Sequence, residues 1–276
     1  MENAEAVFED SEKTFIELSN SQRLQIIHAL KNASMNLTSI AKHLGITMQE
    51  AHRNFNRLMD AGIVSKNFDG SYSLTTFGNT IITQIPSINF LSKNKSYFSD
   101  HYFANLPMKF VQRIGSLDNC KVIQGLVAVM EEIKDMYRNS EEYIYGMIPQ
   151  VPLDLMEVAT GVVNERKVRF NYILPKNAAI PKKGKYVLNK INYEELLRNG
   201  LVERKMIEEV KVSVVLNEKT ALIMFPSSGG ETDMNTAFSN SMGSQNNALF
   251  HEWCLDYFRY CWLGSRAFDY TKLREV

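Results

Sequence analysis

The stretch HLGITMQEAHRNFNRLMDAGIV, His43 to Val64, constrains the chain more than any other. Gly45 suits the left-handed position that closes a helix. Thr47 follows as an N-cap, with Gln49 and Glu50 in the next first turn. Upstream, Ser19-Asn20-Ser21 offers caps for a helix with Leu24, Ile27, His28 and Leu30 at helical spacing, and a short helix from Thr38 to Leu44 precedes Gly45. Downstream, Ile63-Val64 and Tyr72-Ser73-Leu74 flank SKNFDG, where Asp69-Gly70 signals a hairpin turn. Thr75 caps a further helix through Phe77, Thr80, Ile81 and Ile85, closed by Pro86. Three helices, a hairpin and a helix in this order predict a winged helix-turn-helix.

A helical wheel over the third helix separates two faces. Met48, Ala51, Phe55, Leu58 and Met59 form the packing face, while Gln49, His52, Arg53 and Asn56 fall at i, i+3, i+4 and i+7 on a polar stripe. Arg suits guanine, and Gln and Asn suit adenine; no carboxylate joins the stripe before Asp60. Any amphipathic helix has a polar outside, so the stripe alone decides little. The hairpin that follows carries Lys66, Asn67, Ser71 and Tyr72, which suit flanking phosphates or the minor groove. The expected DNA-contacting set is Thr47, Gln49, His52, Arg53, Asn56, Arg57, Lys66, Asn67, Ser71 and Tyr72. His52 lies on the border between the two faces.

At 276 residues the chain is long enough for two domains, and 45% hydrophobic with 22% charged residues is ordinary for a globular protein. The formal net charge of zero gives no global basic field, so partners must be judged by segment. Residues 1–18 read as an acidic arm: Glu2, Glu5, Glu9, Asp10, Glu12 and Glu17 stand against Lys13 alone. Residues 19–86 are the winged domain, mildly basic through Arg23, Lys31, Lys42, Arg53, Arg57 and Lys66. Three cysteines make no disulfide framework. No apolar run of about 18 residues spans a membrane, and the acidic start is unlike a signal peptide. A cytoplasmic location is expected.

Residues 87–140 read as linker and connector helices. Ser87 to His101 is polar and aromatic, a helix starts at Pro107, and a longer one carries Leu126, Val129, Met130, Ile133, Met136 and Tyr137 as an apolar stripe. Residues 141–276 alternate strands and helices: EYIYGMI, PLDLMEVATGVVNER, KVRFNYIL and INYEELLRNG. A hairpin turns at Asn217-Glu218, and an aromatic helix, ALFHEWCLDYFRYCWLG, follows the Ser/Asn/Gly-rich segment Ser227 to Asn247, expected to be mobile. The pattern predicts an α/β domain.

The segment Leu37 to Gly78 resembles the ArsR-like winged-helix domains of archaeal regulators. HYFANLPMKFVQRIGSL (His101 to Leu117) resembles the start of the middle domain in the archaeal methanogenesis-regulatory, Fil-type, winged-helix family. VKVSVVLNEKTALIMFPSSGG and the final helix are similar to the sheet and closing helix of that family and of the TrmB-like regulators. These resemblances imply a dimeric transcription factor whose α/β domain, like half of a phospholipase-D fold, senses a metabolite. They place the DNA-reading helix on Thr47 to Arg57 and the wing on Lys66 to Tyr72, and they transfer no ligand.

Phospholipase-D chemistry needs a nucleophilic His with Lys two residues on. The histidines here are followed at that position by Leu30, Gly45, Asn54, Phe103 and Trp253, so no enzyme is expected. Cys254 and Cys261 share a helix face among Phe250, Trp253, Tyr257, Phe258 and Trp262, which favours core packing over metal or redox sensing. No metal or cofactor is expected. Tyr143 and Tyr145 on one strand, with Arg169 and Asn171 on the next, are candidates for a small anionic effector. Double-stranded DNA, a second copy of the chain and a small-molecule effector are the expected partners, with no membrane. The Leu126 to Tyr137 stripe and the last helix are the candidate dimer surfaces. The alternative is a winged-helix protein-interaction module of a larger assembly without its own operator.

Overall fold

The computed structural model describes residues 4–150, 153–180, 193–242 and 245–275. The chain divides into two compact units, residues 1–86 and 87–276.

The first unit contains α1 (Ala4–Leu18), α2 (Ser21–Leu30), α3 (Leu37–Leu44), α4 (Met48–Asp60), the hairpin β1 (Val64–Lys66) and β2 (Tyr72–Leu74), and α5 (Thr76–Ile82). Short polar side chains set the helix starts. Asn20, Asn36, Thr47 and Thr75 each accept a backbone N–H of the first turn. Gly45, at φ +64°, closes α3. Ile26, Ile27, Ile40, Ala51, Phe55, Leu58 and Ile63 are fully buried and form the core. Gly78 allows α5 to lie against the end of α4: a Cβ there would stand 2.1 Å from the Ile63 carbonyl oxygen.

Three expectations change here. The acidic segment is helical over α1, and Glu17 ties it into the unit through Arg23 and Arg57. In α2 the buried face is Arg23, Ile26, Ile27 and Leu30, leaving Leu24 half-buried and His28 exposed. Pro86 does not close α5; it sits in the first turn of α6 (Ile85–Lys93), where the missing N–H costs nothing.

The second unit continues with α7 (Met108–Val111), β3 (Lys121–Gln124), α8 (Leu126–Arg138), β4 (Tyr143–Met147), α9 (Leu153–Arg166), β5 (Arg169–Pro175), β6 (Ala179–Ile180), α10 (Tyr193–Arg198) and β7 (Val202–Ile207). Next come β8 (Ser213–Asn217), β9 (Ala221–Met224), β10 (Thr236–Ser239), β11 (Ser241–Met242), β12 (Gln245–Asn246), α11 (Ala248–Gly264), β13 (Arg266–Ala267) and β14 (Arg274–Glu275). Eight of the strands form one mixed sheet in the order β13-β7-β5-β4-β8-β9-β10-β3, with β4, β5 and β7 parallel.

Period-two alternation separates the sheet's faces. Val215, Leu222 and Ala237 face a core shared with Val129, Ile133, Ala159 and Val163 of α8 and α9. Val214, Leu216, Ile223 and Phe238 face a second core with Phe250, Trp253 and Phe258 of α11. The steps β3 to β4 to β5 to β7 all move one way across the sheet, so right-handed crossovers put α8, α9 and α10 on a single face.

The expected linker proves to be core. Phe90 of α6 is fully buried and packs edge-on against Phe98 and Phe238, at 5.9 and 5.6 Å between ring centroids. The aromatic residues that marked that segment as odd are the reason it docks. The segment expected to be mobile contributes β10, paired on both sides, with Phe238 inside; positions 243–244 lie outside the described residues. Val129, Ile133, Met136 and Tyr137 of the α8 stripe and the aromatic face of α11, expected as dimer surfaces, pack into these two cores, while Leu126 at the start of the stripe stays 50% exposed. Strand β7 escapes a hydrophobicity reading because it is charged. Its Arg204 lies 4.2 Å from the rings of Phe268 and Tyr270, and its Lys205 4.6 Å from Trp262.

Asn217 ties the layers together at the β8–β9 turn. Its buried amide donates to the Met136 carbonyl at 2.9 Å and accepts the Lys219 and Thr220 N–H groups at 2.9 and 2.7 Å. Replacing it by Ala orphans these groups, so Asn217→Ala is expected to cost about 1–3 kcal/mol in urea unfolding of the full chain. A loss within about 0.5 kcal/mol, as at an ordinary surface site, contradicts that role.

Candidate functional site

Helix α4 is set by a reciprocal cap. Glu50 N–H donates to the Thr47 hydroxyl at 3.2 Å, and the Glu50 carboxylate accepts Thr47 N–H at 2.9 Å and the hydroxyl at 2.8 Å. These two bonds from Thr47 hold the Glu50 carboxyl below its ordinary range. The cap therefore consumes Thr47, which sequence reasoning had placed among the DNA contacts. The inner face buries Ala51, Phe55 and Leu58, and Asn54 donates to Gln22 at 2.8 Å. Met48 departs from the wheel: at the first helical position it precedes the packing surface and stays 45% exposed.

The outer face presents Gln49, His52 and Arg53 to solvent, with Asn56 half-buried and its amide 3.4 Å from His52 Nδ1. Two other expected contacts are committed elsewhere. Tyr72 is buried, its ring stacked on Phe55 at 4.0 Å and 21°. Arg57 grips Glu17 with two nitrogens, at 2.9 Å from Nε and 2.6 Å from Nη2. Glu17 also meets Arg23 Nε at 3.0 Å, so one carboxylate fastens α1, α2 and α4. No local motif announces such a contact, because it spans 40 positions.

The hairpin beside α4 is stiff. Asn67 N–H donates to the Ser71 carbonyl at 2.7 Å, and Asp69 accepts the Ser71 N–H and hydroxyl at 2.9 and 2.6 Å. The Asn67 amide donates to Ser71 and accepts from Ser73. Asn67 and Ser71 therefore build the turn, and Lys66 is exposed beside it. What remains free for a ligand is Gln49, His52, Arg53 and Lys66, with Asn56 partly available.

In the second unit, Tyr143 and Tyr145 stand opposite Arg169 and Asn171 in the β4–β5 register. The four residues expected to bind an effector thus meet in adjacent strands. Tyr143 stacks on Tyr145 at 4.3 Å, and Tyr145 on Phe258 of α11 at 4.8 Å. A cleft of about 590 Å³ opens at the other end of the strands. It is lined where β3, β4, β5 and β7, which run the same way, end: Leu126, Gln150, Asn177 and Lys211 mark the four exits. Met130, Met234 and Ile148 add apolar wall, and Glu209, Glu231 and Arg274 add charge.

The loop carrying Glu231 and Met234 is pinned by His101, whose ring contacts Asp233 at 3.2 Å and Asp100 at 2.7 Å. Burial opposes charge on His101, but Asp100, the Tyr97 carbonyl and Asp233 outweigh it and raise its pKa. The cysteines lie apart from this cleft: burial pushes the Cys120 and Cys261 thiols up to about 11 and the fully buried Cys254 thiol well above its ordinary range. Among the described residues no three His, Cys, Asp or Glu side chains come together at metal-binding spacing, and no helix is long and apolar enough to cross a membrane.

Residues 20–66 match the family model described as bacterial regulatory protein, arsR family, and carry that family's helix-turn-helix domain. No curated protein matches the chain. Among solved structures, TrmBL2, an archaeal chromatin protein, aligns over 90% of this chain and 94% of its own at 11% identity and TM-score 0.40. A homodimeric winged helix-turn-helix domain from Mycobacterium bovis, a possible ArsR-family regulator, aligns over 34% of this chain and 88% of its own at 18% identity and TM-score 0.30. The phospholipase D family member Nuc from Salmonella typhimurium aligns over 54% and 97% at 12% identity and TM-score 0.39.

The hydrogen bond from Arg57, with the charges of Arg23 and Arg57, lowers the Glu17 carboxyl below its ordinary 4.5 despite burial. A carboxyl lowered on folding stabilises above its unfolded value, and that stability is lost as pH falls through the folded one. Glu17→Gln is therefore expected to cost about 1–3 kcal/mol near neutral pH. The gap to the parent protein should close below pH 4.5. A pH-independent gap in unfolding titrations contradicts the ion-pair assignment.

Proposed function

We propose that the chain is a sequence-specific, DNA-binding transcription regulator that acts as a pair of copies and takes a small-molecule effector in its second unit. One observation carries the reading: the outward face of α4 holds Gln49, His52, Arg53 and Asn56 with no carboxylate on that stripe before Asp60 at the helix end, beside a stiff hairpin with exposed Lys66. That face lies within the segment that matches the arsR family. With α4 in the major groove, Arg53 forks to guanine, Gln49 and Asn56 read neighbouring edges, and Lys66 meets a phosphate.

Pairing is supported by α1 in place of the surfaces expected from the sequence. Its Phe8, Phe15 and Ile16, at i, i+7 and i+8, stay 68%, 61% and 48% exposed. A helix that reads a few base pairs gains affinity when a second copy reads the next half-site. Effector binding is supported by the cleft at the strand ends, where ligands of open α/β sheets sit. Its apolar wall and charged groups of both signs suit a small molecule with a charged group and an apolar part. Linkage then makes effector and operator affinity reciprocal.

Selection of duplexes from a random pool tests the DNA reading. Arg53→Ala is expected to lose about 1–3 kcal/mol on the selected sequence and to relax preference at one position. Lys66→Ala should weaken all sequences alike and flatten the salt slope by about one. Sedimentation should find two chains per duplex. A chain that selects no sequence, with both variants silent, leaves the protein-interaction alternative standing. For the cleft, a thermal-shift screen of central metabolites should find a compound that raises the unfolding midpoint of the parent but not of Met234→Trp. A screen without such a compound counts against an effector.

A further inference from the structure

Phe68 stands at the tip of the hairpin and has a relative exposure of 115%, the highest among the exposed large hydrophobic residues. An apolar ring held permanently in water has a hydration cost and gains no packing in return. Nor is the tip floppy. The Asn67–Ser71 and Asp69–Ser71 bonds lock the turn on either side of the ring, Gly70 N–H donates to the Asn67 carbonyl at 3.0 Å, and Lys66 pairs with Tyr72 at its base.

Surroundings distinguish the possible occupants. A protein interface is a contiguous patch with an apolar centre. Phe68 has Asn67, Asp69, Gly70 and Ser71 beside it in the chain, and among the described residues the other exposed large hydrophobics of this unit lie on helices: Phe8, Phe15, Ile16, Met48 and Phe77. A lone rigid apolar tip beside a cation is instead the form of a wedge entering the minor groove between two base pairs. Lys66 is placed to meet the flanking phosphate, and the exposed Asp69 carboxylate is engaged by the Ser71 N–H and hydroxyl.

We propose that Phe68 inserts between base pairs in the minor groove next to the site read by α4, unstacks one step and bends the duplex. This inference rests on the DNA-binding reading above. It adds a specificity element that touches no base edge: insertion is easiest at the flexible pyrimidine–purine steps TA and CA/TG, so such a step is required at the wing.

The test uses the full chain and duplexes selected from a random pool, with 2-aminopurine at the flanking step to report unstacking and dyes at both ends to report bending. The parent protein is expected to raise 2-aminopurine fluorescence and bend the duplex by about 20–90°. Phe68→Ala, on a fully exposed site, should fold normally, bind roughly tenfold or more weakly and lose both signals. Phe68→Leu, still an apolar wedge, should keep the bend, and Arg53→Ala should bind weakly but still bend what it holds. The proposal is overturned if Phe68→Ala keeps parental affinity and bend, or if it loses binding because sedimentation shows the pair of copies has come apart. A parent that selects a sequence but leaves it straight and stacked removes the wedge alone. A parent that selects no sequence removes the DNA reading and the wedge with it.

Discussion

The stack between Phe55 and Tyr72 is the contact on which the first unit turns. Phe55 is the central buried residue of α4, Tyr72 the first residue of β2, and the rings lie nearly parallel at 4.0 Å. Such a pair contributes about 0.5–1.5 kcal/mol beyond the area it buries. Its greater consequence is positional. It fixes the hairpin beside the helix, so that the outward face of α4 and the turn at Phe68 are held as one rigid surface. Glu17 adds a second anchor at the last turn of α4, where Arg57, together with Arg23 of α2, holds it. The reading face is thus positioned by residues that are not themselves free to read.

In the second unit the same separation of support from function appears in the sheet. The central strands are buried on both faces, and the aromatics of α11 and α6 spend themselves on packing. At the carboxyl edge four strands run out and the chain changes direction around a cleft. Tyr143 and Tyr145, near the opposite ends of the strands, became a stacked column under α11.

Much of the first unit was legible because its signals are local. Gly45, Thr47 and Asp69-Gly70 act on their own neighbours in the chain, and the structure puts a helix end, a cap and a turn there. Polar residues were harder. Arg57 and Tyr72 have the chemistry of DNA contacts, but Glu17 and Phe55 claim them, and neither partner can be inferred from spacing. Met48 has the right wheel angle yet precedes the packing surface. In the second unit, Phe90 and Phe238 lay in stretches whose polar residues suggested linker and loop; a single ring placed between a helix and a sheet outweighs several polar neighbours. The cleft could not be foreseen, because its lining comes from β3, β4, β5 and β7 exits separated by long intervals of chain.

The central claim is that α4 and its hairpin form one surface that reads adjacent grooves of a duplex. Methylation interference on duplexes selected by the full chain tests it most directly, since guanine N7 lies in the major groove and adenine N3 in the minor groove. The account predicts interference at guanine N7 within each half-site and at adenine N3 in the immediately flanking step. Interference confined to one groove, or scattered without a repeated pattern, contradicts it.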